Sequence, residues 1–289
     1  MDGVTTMVPV GRHRLEATVF GTGEPAVVVE PPLGGFAAAW RQIAGTVAED
    51  TTVVTYDRAP YGASSPARDG RRPRDIANDL DGVLTGLGVT GPLVLVGHSI
   101  GGIYLRTYAA LHMDRVAGMV LVDSSHEAQR KVVLRHLSPK DRVSAALTVP
   151  QLIIRSRKWR GGGDRRSCVT EFRMFTRLSA ADQALASGAL GGRPLIVVTR
   201  GPVSKSQPDR LWGAWYELQR DLAGLSANSR HLVSDSPEHY LNEGDPELVV
   251  SAIRDVVRSA RSGAPLGEPA AAPAAEEHAA EVSEVSEGQ

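Results

Sequence analysis

The sequence of 289 residues predicts an α/β fold, with a mostly parallel, doubly wound sheet and a helical insertion. Two observations indicate this class. Short apolar runs rich in valine alternate with segments of helical periodicity, which is typical of a parallel sheet covered by helices on both faces. The alternation stops after Asp123 and resumes at Pro194, so a separate helical segment interrupts the sheet.

The individual elements follow from residue spacing. Polar and apolar residues alternate at 8–12 and 14–20, which predicts a hairpin. Continuous apolar runs predict strands at 26–30, 52–56, 93–96, 117–122, 194–199 and 230–233. Apolar residues recur at helical spacing, as at Trp40, Ile43 and Val47, which predicts helices. The predicted helices span 36–49, 75–87, 102–110, 209–225 and 246–258.

These elements divide the chain into three parts. Residues 1–124 and 191–260 form the predicted core, and residues 125–190 are mostly helical in pattern and form a predicted lid over one edge of the sheet. From Arg261 to the last residue the sequence is rich in Ala, Pro, Glu and Ser, with six glutamates and almost no large apolar residue. We expect this acidic tail, 261–289, to be disordered.

Composition excludes several classes of function. The chain is 42% hydrophobic and 22% charged with a formal net charge of -1, so no global field attracts nucleic acid. The apolar runs are too short to cross a membrane, and the first residues lack the pattern of a signal peptide, so we expect a cytoplasmic protein. Cys168 is the sole cysteine, which excludes an internal disulfide, and we expect an inert thiol.

The most informative motif is Gly97-His98-Ser99-Ile100-Gly101, which lies between a predicted strand and a predicted helix. A Gly-x-Ser-x-Gly in this context is typical of a nucleophile elbow, a turn so tight that it needs glycine on both sides of the serine. Ser99 is therefore the predicted nucleophile. The backbone N–H of Ile100, at the start of the helix, is a predicted oxyanion donor.

A nucleophilic serine needs a base, and the base needs an orienting carboxylate. His239 lies between the last strand and the last helix, a loop that returns to the edge carrying Ser99, and it is the predicted base. Asp123 follows the strand next to the elbow and is the favoured acid. Asp209 remains an alternative, while Asp235 is too close to His239 along the chain to be attractive.

The second oxyanion donor is expected from the turn after the strand at 26–30. This turn, Pro31-Pro32-Leu33-Gly34-Gly35, is called the oxyanion turn below. Proline has no N–H, so Leu33 is the first residue that can donate a hydrogen bond.

Together these motifs resemble the α/β-hydrolase superfamily over residues 8–260. The resemblance rests on residues 97–102, on the run from Tyr56 to Ser64, and on His239 with the Pro246-Glu247-Leu248-Val249 that follows. The chain departs from many relatives by having Pro31-Pro32 in the oxyanion turn and no acid directly after the strand at 194–199. A subset of relatives places the acid after the preceding strand, which favours Asp123.

The resemblance implies a serine hydrolase that cleaves a carboxylic ester or thioester and needs no metal and no cofactor. The chain is similar to esterases and to thioesterases that release polyether polyketides from carrier proteins. An acyl carrier protein is therefore a candidate partner beside a small acyl substrate, with no nucleic acid and no membrane as partners. A ligand-binding receptor that kept the triad remains an alternative.

A basic stretch in the predicted lid bears on the same question. Between Arg155 and Arg177 the chain has two acidic residues and eight basic ones, Arg155, Arg157, Lys158, Arg160, Arg165, Arg166, Arg173 and Arg177. It is either a solvated surface or a receiver for an anionic group, such as a substrate carboxylate or the acidic surface of a carrier protein.

Overall fold

The fold is a mixed sheet between two helical layers. The computed structural model describes residues 2–66, 71–136, 165–204 and 210–267. Its eight strands are β1 (Val4–Val10), β2 (His13–Phe20), β3 (Ala26–Glu30), β4 (Val53–Tyr56), β5 (Leu93–His98), β6 (Val116–Val122), β7 (Leu195–Thr199) and β8 (Ser229–Val233). They form one sheet in the order β1-β2-β4-β3-β5-β6-β7-β8. The first two strands are antiparallel and the pairs from β4 to β8 are parallel, so the predicted fold class is confirmed.

Helices connect the strands in the predicted alternation. The α-helices are α1 (Arg41–Val47), α2 (Pro73–Gly86), α3 (Gly101–Leu111), α4 (Gln129–His136), α5 (Arg165–Phe175), α6 (Ala180–Ala186), α7 (Arg210–Ala223), α8 (Leu241–Gly244) and α9 (Pro246–Ser262). The segment predicted as one helix at 36–49 begins as a 3-10 turn, Ala37–Trp40, and continues as α1.

Both faces of the sheet are buried, as the continuous apolar strands predicted. Along β5, Leu93 and Leu95 join a hydrophobic cluster with residues of α2, α3 and α7. Val94 and Val96 point to the opposite face and join a second cluster with residues of α1 and α9. Neighbouring residues of a strand face opposite sides of the sheet, so a strand covered on both sides has no polar alternation.

The described part of the lid insertion is helical and consists of α4, α5 and α6. Ala186, Met174 and Phe175 from these helices pack in a third hydrophobic cluster with Ile100 and Ile103 of the elbow region. These helices therefore pack against residues that follow Ser99 at the end of β5. Four of the eight basic residues of the basic stretch, Arg155, Arg157, Lys158 and Arg160, lie with the glycines at 161–163 in 137–164, outside the described residues.

The expected start of the acidic tail at Arg261 is too early. Helix α9 continues through Ser262 and ends at Gly263, whose φ of 68° is in the left-handed region that favours glycine. The Arg261 guanidinium donates to the carbonyls of Glu24 and Asp50, and the N–H of Leu266 donates to Asn228. These contacts bind the chain to the core past the expected boundary. Residues 268–289 lie outside the described part of the chain.

Candidate functional site

The turn at Ser99 has the strained geometry that its sequence predicts. Ser99 has a φ of 54°, a left-handed conformation that residues other than glycine rarely adopt. A Cβ on Gly97 would lie 2.7 Å from Cα of Gly102, and a Cβ on Gly101 would lie 2.3 Å from the carbonyl oxygen of Glu30. Both glycines are therefore required because their backbones approach neighbouring backbone closely.

Backbone hydrogen bonds join this turn to the end of β6. The N–H of Ser99 donates to the carbonyl of Val122 at 3.1 Å, and the N–H of Ser125 donates to the carbonyl of Ser99 at 2.8 Å. Asp123 lies between these two partners and has a φ of 38°, also in the left-handed region. The two strained residues are thus held side by side at the carboxyl edge of the sheet.

Asp123 is fully buried and hydrogen-bonded to His239. Its Oδ2 is 2.5 Å from Nδ1 of His239, and its Oδ1 accepts from the indole N–H of Trp215 at 2.7 Å and from the backbone N–H of Arg200 at 3.4 Å. Burial raises the pKa of Asp123, but the hydrogen bond and charge of His239, with Arg200 and Trp215, outweigh burial and hold this pKa below its usual range. An ionised carboxylate only accepts, so Nδ1 of His239 carries the proton and Nε2 is the ring's acceptor.

His98 holds the backbone of His239 in place. Its Nε2 lies 2.9 Å from the carbonyl oxygen of His239, and the two ring centroids are 5.0 Å apart. Burial, together with the nearby His239, lowers the pKa of His98 to about 3, so its ring is neutral and Nε2–H donates to the carbonyl. The residue before the nucleophile is thus bonded to the loop of the predicted base.

The structure brings Asp123 to the predicted base. The alternative acid, Asp209, lies outside the described residues. Asp123 is the acid that its position after β6 predicts, and the structure places its carboxylate 2.5 Å from Nδ1 of His239. Trp215 was not identified, because its indole N–H reaches Asp123 from 92 positions along the chain.

The two predicted oxyanion donors lie in the same region. Leu33 and Ile100 belong to one hydrophobic cluster, between the core and the lid. The guanidinium of Arg58 donates to the carbonyls of Pro31 at 2.9 Å and Pro32 at 2.8 Å. A buried arginine that follows β4 therefore holds the oxyanion turn through its two proline carbonyls.

Arg58 lies between two carboxylates, Glu30 and Glu171. It is 2.5 Å from Glu30, which also accepts a hydrogen bond from the hydroxyl of Tyr56. On its other side it is 3.0 Å from Glu171 of α5, in the lid. Burial raises the pKa of Glu30 even though Arg58 and Tyr56 oppose this shift. Sequence reasoning missed this network, whose single signal was a glutamate inside a basic stretch.

A second buried arginine attaches the lid insertion elsewhere. Arg106 of α3 donates to Glu127 at 2.8 Å, to the carbonyl of Ser125 at 2.8 Å and to that of Ala186 at 2.6 Å. It therefore holds both ends of the insertion.

Cys168 of α5 is buried, and burial raises the pKa of its thiol to about 12, in agreement with the inert thiol expected.

Two further features of the described residues bear on the kind of site. Within the ranges the structure covers, His, Cys, Asp and Glu side chains do not gather in groups of three or more that could hold a metal ion. The helices in these ranges are also too short or too polar to cross a membrane.

Comparison with known proteins identifies the fold independently. A family model described as the alpha/beta hydrolase fold matches residues 25–168. The chain is 23% identical over 273 residues to the 2-(acetamidomethylene)succinate hydrolase of Mesorhizobium japonicum, covering 88% of this chain and 95% of that protein. A thermophilic esterase from Thermogutta terrifontis has a TM-score of 0.59 at 22% identity, covering 90% of this chain and 99% of that one.

Another relative matches only locally. A probable transporter, efuK, from Hormonema carpetanum is 30% identical over 129 residues, which is 42% of this chain. The chain spans 18% of the length of that relative. This match therefore bears on a part of the fold and not on the activity of a whole protein.

Proposed function

Because the chain belongs to the α/β-hydrolase superfamily, we propose that it is a serine hydrolase that cleaves a carboxylic ester or thioester through an acyl-enzyme on Ser99. The observation that carries the proposal is the 2.5 Å hydrogen bond between Asp123 and His239. It lies at the edge of the sheet where the strained turn presents Ser99. This pairing supports a base whose tautomer is fixed and whose Nε2 accepts a proton.

The proposed reaction has two half-reactions, acylation of Ser99 and hydrolysis of the acyl-enzyme. The Ser99 hydroxyl attacks the acyl carbonyl while Nε2 of His239 takes its proton, and Asp123 stabilises the resulting imidazolium. The N–H groups of Ile100 and Leu33 bind the oxyanion, and His239 then returns the proton to the leaving alcohol or thiol. Water, deprotonated by His239, then attacks the acyl-enzyme, and His239 returns that proton to Oγ of Ser99 as the acyl–oxygen bond breaks and the acid is released.

The substrate class is supported by two kinds of observation. The relatives include a hydrolase and an esterase, which favours ester cleavage. The apolar cluster of Leu33, Ile100 and the lid residues Met174 and Phe175 lies beside the proposed nucleophile, which favours an apolar acyl group. A carrier-linked thioester remains the second substrate to test, because the basic stretch has eight basic residues against two acidic ones, a charge that suits the acidic surface of a carrier protein.

The function is tested by intact-mass labelling with a fluorophosphonate. We expect a single adduct on the wild type, none on Ser99→Ala, and labelling of Asp123→Asn slowed by about 10³- to 10⁴-fold, since the wrong tautomer of the base is then favoured. Asp209→Asn is the matched control and should label like the wild type. The reverse order of the two Asn variants would make Asp209 the acid.

The type of substrate is determined by comparing kcat/KM for esters and thioesters that carry the same acyl group, including a thioester on a carrier protein. A preference for the carrier-linked thioester that weakens with salt would support the carrier protein as partner. A folded wild type that takes no adduct would contradict the serine-hydrolase proposal and favour a binding protein.

A further inference from the structure

Four donor groups converge on the carboxylate of Glu171. Arg58 lies 3.1 Å from its Oε1 through Nε, and the Tyr104 hydroxyl donates to the same oxygen at 2.7 Å. The Tyr61 hydroxyl donates to Oε2 at 2.6 Å, and the backbone N–H of Gly34 lies 3.3 Å from that oxygen. A carboxylate has no donor of its own, so this set of four donors matches it on both oxygens.

These contacts join the lid to the oxyanion turn in two ways. Glu171 reaches the turn directly at Gly34, which follows the predicted donor Leu33. It also reaches the turn through Arg58, which donates to the carbonyls of Pro31 and Pro32. The two prolines have no N–H, so the turn depends on bonds to its carbonyls and on its few remaining N–H groups.

We propose that Glu171 is a positioning residue for the reaction, because it fixes the oxyanion turn through Arg58 and Gly34 when α5 is docked on the core. This inference rests on the proposed function. The N–H of Leu33 stabilises the oxyanion only at hydrogen-bond distance, and a displacement of about 1 Å costs on the order of 10²-fold in rate. The chemical step is therefore fast only with α5 in place.

Glu171→Gln tests the proposal. Glutamine has the same shape, but NH₂ replaces one of the two carboxylate oxygens. One of the two positions therefore becomes a donor that faces N–H or O–H groups, which also donate. We expect kcat to fall by about 10- to 100-fold with KM within about threefold, and fluorophosphonate labelling to slow by the same factor. Glu171→Asp, which keeps the charge, should recover part of the rate.

Glu127→Gln is the matched control. Glu127 is also a lid-insertion carboxylate paired with a buried arginine, and its side chain is 13% exposed against 10% for Glu171. Its partner Arg106 contacts the ends of the insertion and not the oxyanion turn. We expect both variants to lower the Tm. Glu127→Gln should keep kcat within about threefold of the wild type, because it leaves the bonds to the oxyanion turn in place.

Hydrogen–deuterium exchange separates this inference from the proposed function, since it needs no turnover. Amides at 33–35 should exchange faster in Glu171→Gln than in the wild type or Glu127→Gln. If these amides exchange faster in Glu171→Gln but the wild type takes no fluorophosphonate adduct, the coupling between Glu171 and the oxyanion turn holds and the hydrolase function is overturned. Unchanged exchange, or a kcat that matches Glu127→Gln, would overturn the coupling and leave Glu171 as a latch for the lid.

Tyr61→Phe and Tyr104→Phe provide a milder series if Glu171→Gln fails to fold. Each removes one donor to Glu171 and keeps the aromatic ring. Both should lower kcat, by less than Glu171→Gln, because three donors remain. Equal, wild-type kcat values in the two variants would contradict the proposal.

Discussion

Trp215 donates its indole N–H to Oδ1 of Asp123 at 2.7 Å, while His239 is bonded to the other oxygen of the same carboxylate. The acid is thus fixed from two sides by residues of α7 and of the loop after β8. Because Asp123 is fully buried, its orientation depends on these bonds and not on water.

Trp215→Phe should therefore affect the site, although Trp215 lies 92 positions from Asp123 along the chain. The variant leaves Oδ1 of Asp123 with the longer bond from Arg200 alone, so we expect the free energy of unfolding to fall by about 1–3 kcal/mol. We also expect kcat to fall roughly tenfold because the carboxylate is less well oriented. Urea unfolding and ester hydrolysis measure the two effects.

Trp212→Phe is the control for this variant. Trp212 lies one turn away on the same helix, and its indole N–H donates to the carbonyl of Arg200 and not to Asp123. Its kcat should stay close to that of the wild type. Equal losses of kcat in the two variants would mean that Trp215 acts through the packing of α7.

Gly101→Ala should destabilise the elbow. The new Cβ would meet the carbonyls of Glu30 and Pro31 at 2.3 and 2.8 Å, and both are backbone atoms of the neighbouring strand and turn. We expect a loss of at least about 1–3 kcal/mol in the free energy of unfolding, measured in urea. Gly192→Ala, where a Cβ meets nothing within 4 Å, should change it by less than about 0.5 kcal/mol. Equal stabilities would refute the steric account of the motif.

His98 should make the protein less stable in acid. The pKa of His98 is lowered to about 3 in the fold but is about 6.5 in an unfolded chain. Between these pH values the unfolded state binds a proton that the folded state does not, so stability falls as the pH falls, by up to about 1.4 kcal/mol per pH unit. His98→Gln keeps a donor for the carbonyl of His239 and should remove this dependence.

The difference between wild type and His98→Gln is the quantity to measure, by urea unfolding from pH 7 to pH 4. Burial raises the pKa of Asp57 to about 6, which gives the opposite slope between about pH 4 and 6 and partly hides the effect in the wild type alone. If the free energies of unfolding of the two proteins change with pH in parallel, folding does not lower the pKa of His98.

Most of the fold could be predicted because its signals are local. Valine-rich runs predict buried strands, and the glycines on either side of Ser99 predict a tight turn between a strand and a helix. The boundaries were less accurate: α9 continues to the left-handed Gly263, and Arg261 in its last turn donates to distant backbone carbonyls of the core. Such bonds leave no periodic trace in the sequence.

The sequence by itself determined the sheet, the elbow at Ser99, and the candidates His239 and Asp123, because each depends on chain order and on neighbouring residues. Only the tertiary structure decided that Trp215 and His98 hold Asp123 and His239 in place, and that Glu171 binds Arg58 beside the oxyanion turn. These contacts join segments about 90 to 140 positions apart. A buried polar group needs a partner, and which residue provides it is decided when the chain packs.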